Sequence, residues 1–398
     1  MTRPVELPAH EDLEARPSKP VSARAANSHN GGTEGSGYLL VLSQPPLLPQ
    51  APANIFGRDA IIDDLVGLAE RFASVTLFGA GGTGKSTIAL TLLHHNQIVT
   101  RFGKHRHFIR CDDLVNSLGG FTGRLSEAIG ARPSMDMAQL RSHLALSPPC
   151  ALVLDGVDYI LDPLAPGANE IVTAIEELGR YKNVFLLATS RMEVRIPDFR
   201  HQEVPTLRVE CARDTFYSRC SLGRSAAVDK LLTELDLHPL STDLLASVVR
   251  EKGWDEPGLL KAWSDNKTSV LKVPGRQSLE ENIESILLTP TIRELGIAAH
   301  ETLKAIARHP GGVQESKLER TFPGIPTIGE AVNALCKFSV IYRQEGFVKM
   351  LSPFRLHFLE SNGPVYHHLG KKPIRRFRSA TKSEHEKVRS LAPGSNNC

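Results

Sequence analysis

The chain has 398 residues, 41% of them apolar and 23% charged, with a formal net charge of +3. That is length and composition for two or three globular domains, and no apolar run reaches the ~18 residues of a membrane span, so no membrane partner is expected. Six cysteines (Cys111, Cys150, Cys211, Cys220, Cys336, Cys398) lie without pair spacing, and the N-terminus lacks an apolar leader segment. This argues against a disulfide framework or zinc site and for a reducing, cytoplasmic setting.

Residues 1–52 are rich in Pro, Ser, Ala and Gly without sustained periodicity, and are expected to be disordered. Tyr38-Leu39-Leu40-Val41-Leu42 is their one apolar island; a short docking segment or a chance run would each account for it. From Ile55 the pattern becomes α/β. Arg58 to Ala73 reads as a helix and Ser74-Val75-Thr76-Leu77-Phe78 as a strand. A glycine-rich turn follows, and Ile88 to Leu93 continues a helix. His107 to Cys111 reads as a second strand, Leu114 to Ile129 and Leu140 to Leu146 as helices. Cys150-Ala151-Leu152-Val153-Leu154 and Val184-Phe185-Leu186-Leu187-Ala188 are continuous apolar runs, as in buried parallel strands. Ile171 to Leu178 between them is helical. Strands alternating with helices predict a doubly wound parallel sheet over residues 53–208, with its ligand at the carboxyl ends of the strands.

After about Glu210 helices dominate: Ser225 to Lys252, Pro257 to Leu271, Leu279 to Leu288 and Thr291 to Arg308. Ile328, Val332 and Leu335 form one stripe of a further helix. Phe338–Arg343 and Phe347–Leu351, separated by Gln344-Glu345-Gly346, read as a hairpin. The expectation is a helical domain over 209–275 and a winged-helix domain over 276–361. The tail 362–398 carries eight Lys/Arg against two Glu, a charge of +6 that leaves −3 on the rest of the chain. Its Lys371–Arg378 run suits a phosphate backbone or a nuclear import signal, but a solvated disordered tail is the plainer reading.

The most specific signal is Gly79-Ala80-Gly81-Gly82-Thr83-Gly84-Lys85-Ser86-Thr87, which fits G-x-x-x-x-G-K-[ST] between a strand and a helix. Glycines there let backbone N–H groups turn inward onto phosphate oxygens, and a helix N-terminus adds its positive end. Lys85 would reach the β- and γ-phosphates, and the Ser86 hydroxyl would ligate magnesium. Asp155 ends the buried strand at Leu154, where a carboxylate suits the same metal. Asp158, three residues on, would polarise an attacking water or simply open a helix. Thr189-Ser190-Arg191 ends the next strand; its Arg would report a γ-phosphate from the side or lie in solvent. Pro239, read alone, is a helix-capping turn.

In order, these segments resemble the NB-ARC family of STAND P-loop nucleotidases, with its apoptotic protease-activating factors, plant disease-resistance proteins and fungal relatives. Ile55-Phe56-Gly57-Arg58-Asp59 resembles the family's Gly-Arg segment, which implies Gly57 and Arg58 against the adenine. Gly79–Thr87 and Leu152–Asp155 resemble its Walker A and Walker B. Ala188–Arg191 resembles its sensor. Leu237-His238-Pro239-Leu240 resembles the GxP motif, implying Pro239 on the base, with Leu237 standing in the glycine's place. Val348–Arg355 resembles the close of its winged helix. Two departures stand out: Met350-Leu351-Ser352 lacks the His and Asp of the family's Met-His-Asp motif, and Asp155-Gly156-Val157-Asp158 is closer to the Walker B of the related NACHT family.

The resemblance implies an ATP/ADP-dependent conformational switch in signalling. It implies Mg2+ as cofactor, slow ATP hydrolysis as a reset, and protein partners or homo-oligomers on activation. The effector domain and C-terminal repeats that usually flank such a core are not evident, so a bare switch core or part of a longer protein is expected. An ordinary P-loop ATPase or phosphotransferase would need acceptor-positioning residues, and no such cluster is visible. A nucleic-acid binder would use the winged helix and basic tail, yet Glu315, Glu319 and Glu330 offset Lys317, Arg320 and Lys337 in the former.

Overall fold

The structure, a computed structural model, describes residues 47–111, 117–132, 135–273 and 278–360. The expectations for residues 1–46, including the apolar island at Tyr38–Leu42, and for the basic tail lie outside the described residues.

The first half runs α1 (Asp59–Glu70), β1 (Val75–Phe78), α2 (Lys85–Leu93), α3 (Asn96–Phe102), β2 (Arg106–Arg110), α4 (Leu118–Ala128), α5 (Met137–Leu146), β3 (Cys150–Asp155), α6 (Ala168–Gly179), β4 (Val184–Ser190) and β5 (Arg200–Glu203). The five strands form one parallel sheet in the order β2-β3-β4-β1-β5. β3 and β4 are buried along nearly their whole length, as their unbroken apolar runs require. Alternate residues serve opposite faces. Val75, Leu77, Ala151, Val153, Phe185 and Leu187 pack with α1, α2 and α3. Leu152, Leu154, Leu186 and Ala188 pack with α4, α5 and α6 on the other side. Each such fully buried Leu or Phe contributes roughly 1.5–3 kcal/mol. β4 lies between β1 and β3, so the strand end carrying Thr189–Arg191 stands between the glycine-rich turn and Asp155.

The second half is helical: α7 (Val209–Tyr217), α8 (Ala226–Glu234), α9 (Pro239–Lys252), α10 (Glu256–Asn266), α11 (Leu279–Leu287), α12 (Pro290–Leu295) and α13 (Ile297–Ala307). A small sheet closes it: β6 (Val313–Gln314), α14 (Leu318–Thr321), α15 (Ile328–Lys337), β7 (Ile341–Gln344), β8 (Phe347–Met350) and α16 (Ser352–Glu360). The three strands pair antiparallel in the order β6-β8-β7. Glu345 and Gly346, both left-handed, make the two-residue hairpin turn whose twist matches the strands. α7 to α10 share a core that also takes Leu356 of α16. Ile283, Ile286, Leu303, Val332, Leu335 and Phe354 instead join the core on the α4–α6 side of the large sheet.

Three helices expected as continuous are broken. Pro257 to Leu271 ends at Asn266, where Lys267 takes positive φ (44°) and a short 3-10 turn, Lys267–Val270, follows. Ser225 to Lys252 splits at Leu235–His238, because Asp236 and Leu237 take left-handed backbone (φ 53° and 54°) and Pro239 occupies the first position of α9. Thr291 to Arg308 splits at Gly296 (φ 51°). The hairpin's first strand begins at Ile341 rather than Phe338, since Ser339 is left-handed. Among the described residues no helix is long and apolar enough to cross a membrane.

Candidate functional site

The glycine-rich turn leaves β1 and enters α2 at Lys85, with Gly84 as a left-handed N-cap (φ 96°). It is gripped from several sides. Arg58, 4% exposed, donates from Nη2 to the Thr83 carbonyl (3.0 Å) and to the Pro205 carbonyl (2.7 Å). The Leu240 N–H donates to the Gly82 carbonyl (3.1 Å), and the Thr83 hydroxyl to the Ala80 carbonyl (2.9 Å). His238 Nε2 meets the Gly81 carbonyl at 2.8 Å. The approach is close: a Cβ on Gly82 would lie 2.7 Å from His238 Cε1 and 2.8 Å from Leu240 Cβ. Gly57, ahead of α1, abuts Cys211 of α7.

Lys85 Nζ donates to the Gly79 and Ala80 carbonyls, each at 2.8 Å. Burial of the ammonium brings its pKa down from 10.5 to about 8; Asp158 and Asp155 pull it back up, and Arg191 opposes them. Ser86 and Thr87 follow in the first turn of α2, with Ser86 exposed to the cleft.

At the ends of β3 and β4, the Thr189 hydroxyl donates to Asp155 Oδ1 (2.7 Å) and accepts the Gly156 N–H (2.9 Å). Asp158, 9% exposed, gathers the turn after β4: its Oδ1 accepts from the Ser190 hydroxyl (3.0 Å), the Met192 N–H (3.3 Å) and the Arg191 N–H. The Arg191 guanidinium reaches across to α11, donating from Nη1 to Ser285 Oγ (2.8 Å) and the Asn282 carbonyl (3.3 Å). Its own carbonyl accepts from the Ser339 hydroxyl (2.6 Å).

These groups face a cleft of about 770 Å³ at the carboxyl ends of the strands. Of the residues singled out in the sequence, Arg58, Gly81 to Thr87, Asp155, Asp158, Thr189, Arg191 and Pro239 line it; Gly57, Gly79 and Ala80 do not. Sequence reasoning missed the far wall, where Asn282, Ser285, Thr289 and Arg293 bring α11 and α12 into the cleft. No local pattern marks them, because a contact of Arg191 with a residue 94 positions away is purely tertiary. His238 falls within the Leu237–Leu240 segment, but nothing in the sequence aims its ring.

The arrangement suits a polyanion: backbone amides, one buried ammonium and a helix N-terminus converge. The Ser86 hydroxyl and the Asp155 carboxylate are hard oxygen donors. Among the described residues no group of three His, Cys, Asp or Glu could hold a metal by itself. The donor set therefore fits a cation such as Mg2+, which takes one or two protein oxygens and fills its shell from phosphate and water.

No protein-family model and no curated protein matches the sequence. Among solved structures, the Walker-type ATPase PABY2304 of Pyrococcus abyssi superposes with a TM-score of 0.56 at 14% identity, over 79% of this chain and 99% of that one. The STAND protein with a tetratricopeptide repeat sensor, PH0952 from Pyrococcus horikoshii, matches at 14% identity over 82% of this chain and 44% of that one, with a TM-score of 0.34 too low to support a structural argument. The parallel sheet with its glycine-rich turn, the helices behind it and the first of these superpositions make the fold that of a P-loop NTPase.

Proposed function

We propose that the chain is a nucleotide-dependent conformational switch that binds ADP or ATP with Mg2+ and hydrolyses ATP slowly to reset itself. The nucleotide-binding domain is 53–208, the helical domain 209–275 (α7 to α10), and the winged-helix domain 276–361 (α11 to α16 with the small sheet). Lys85 and the loop amides would hold the phosphates, Ser86 and Asp155 the metal, and Pro239 with Arg58 the base end; Gly57, packed on Cys211 and outside the cleft lining, would only support Arg58. Mg2+, when bound, supplies charge neutralisation across the phosphate oxygens. The bonds of Asp158 to the turn after β4 favour a role in setting Arg191 over one as a proton acceptor.

The observation that carries this reading is the divided position of Arg191. It lies on the strand end between Lys85 and Asp155, yet its guanidinium is bonded to Ser285 and Asn282 of α11. A third phosphate in the cleft competes with α11 for that guanidinium. ATP and ADP then differ in how they leave the α11 contact, and such differential contact is what a ligand needs to shift a two-state equilibrium. Release of α11 would free the winged-helix domain for protein partners or for a second copy of the chain.

Arg191→Ala tests this. The affinity for a non-hydrolysable ATP analogue is expected to fall about tenfold more than that for ADP, the size of one charge-assisted hydrogen bond. Titration of both nucleotides against wild type and variant reads the ratio; equal losses would remove Arg191 from phosphate discrimination.

A further inference from the structure

His238 is fully buried, at 0% exposure, between the phosphate loop and α16. Both ring nitrogens are engaged. Nδ1 lies 3.0 Å from the Ser241 hydroxyl and 3.4 Å from the Ser241 N–H, which it accepts as N-cap of α9. With Nδ1 the acceptor, Nε2 carries the proton and donates it to the Gly81 carbonyl at 2.8 Å. The carbonyl and the following N–H of a trans peptide point to opposite sides. Holding the Gly81 carbonyl therefore directs the Gly82 N–H away from His238, and the Leu240 bond to the Gly82 carbonyl fixes the next peptide in the same way.

The same short segment also holds α16. The Phe354 ring packs edge-on to His238 at 5.8 Å between centroids. Two residues before His238, Asp236 Oδ2 accepts the Ser352 N–H at the first turn of α16. Asp236 and Leu237 are both left-handed, so two consecutive residues adopt a backbone that side chains disfavour. Asp236 to Leu240 is thus a two-sided clasp, with α16 on one side and the phosphate loop on the other.

We propose that His238 is a positioning residue for the phosphate loop, and that through it the set of the loop is coupled to the seating of α16. The inference rests on the cleft binding nucleotide phosphates. Ligand that settles the Gly81–Gly82 and Gly82–Thr83 peptides favours the His238 donor, the donor favours the ring position against which Phe354 packs, and α16 stays seated. A loop displaced from that set withdraws the Gly81 carbonyl and loosens α16.

The test is hydrogen exchange of the full chain, with and without ADP and Mg2+, read over residues 79–87 and 352–360, together with ADP affinity. His238→Asn keeps an acceptor for the Ser241 N–H but is too short to reach Gly81. His238→Gln reaches Gly81 with its side-chain amide and caps α9 less well. ADP is expected to slow exchange in both segments of the wild type. In His238→Asn, ADP should bind roughly tenfold more weakly and protect 79–87 without protecting 352–360; His238→Gln should restore both. If His238→Asn keeps wild-type affinity and protection of 352–360, or if His238→Gln loses as much as His238→Asn, the proposal is overturned and His238 only caps α9. A wild type that binds no ADP would overturn the nucleotide reading instead. The clasp would then be read without ligand, as faster exchange over 79–87 in His238→Asn; unchanged exchange there would overturn it as well.

Discussion

Lys85→Ala is expected to lower nucleotide affinity by about two orders of magnitude or more, since hydrogen bonds to charged groups are worth about 1.5–3 kcal/mol each and in the proposed site the ammonium would meet two phosphates. Its effect on the ligand-free protein should be the reverse of damage. The ammonium is buried and held by two neutral carbonyls, so its desolvation opposes folding. The variant should melt no lower than wild type while losing its nucleotide-induced rise in melting temperature. The pH dependence follows from the same group. Its folded-state value of about 8 lies below the ordinary 10.5. Below about pH 8 the lysine is charged in both folded and unfolded chains, and its burial cost is fully present. Between about 8 and 10.5 the folded chain sheds the proton first, so this cost is relieved and the Lys85 contribution to stability rises with pH. Phosphate needs the charged form. Affinity should therefore fall by up to about tenfold per pH unit above pH 8, and calorimetric titration from pH 7 to 10 would show it. An affinity flat across that range, or unaltered in Lys85→Ala, would place the phosphates elsewhere.

Gly82→Ala is expected to cost about 3 kcal/mol of stability and to abolish tight nucleotide binding, whereas Gly84→Ala, two residues away, should cost only about 1 kcal/mol. Both positions are left-handed, at φ 79° and 96°, and both variants carry that backbone penalty. They differ in their surroundings. Nothing lies within 4 Å of a Cβ built on Gly84. A Cβ on Gly82 meets the imidazole of His238 and the Cβ of Leu240 below 3 Å, and neither can move without breaking a bond to the loop. Chemical denaturation of the two variants measures the difference. Equal costs would mean that the contact between the loop and the start of α9 is not tight.

Legibility in the sequence follows the physics of each element. β3 and β4 were readable because strands buried on both faces must be apolar throughout, and Asp155 and Arg191 were readable because they stop those runs. β5 was not: Arg200-His201-Gln202-Glu203 is an edge strand with a polar pattern, placed by its parallel pairing to β1 rather than by its side chains. The break before α9 was hidden by helix-forming residues on both sides, and only Pro239 marked it. Leu237 is instructive in another way. The resemblance puts a glycine there, and the left-handed backbone (φ 54°) supplies the reason a glycine fits; this chain keeps the conformation with a leucine that packs on the core of α7 to α10. Arg58 was expected against a base through resemblance; its guanidinium is bonded to the Thr83 and Pro205 carbonyls at the wall of the cleft. The partnership of Arg191 with α11 was beyond any local pattern, and it is the contact on which the proposed switch would depend.

The most direct measurement of that dependence is hydrogen exchange over α11, Leu279–Leu287, in wild-type protein saturated with Mg-ADP or with Mg and a non-hydrolysable ATP analogue. A switch of this kind predicts that α11 is protected with the diphosphate and exchanges faster with the triphosphate, as the third phosphate draws Arg191 from Ser285 and Asn282. Identical exchange over α11 with both nucleotides, each bound at saturation, would contradict it.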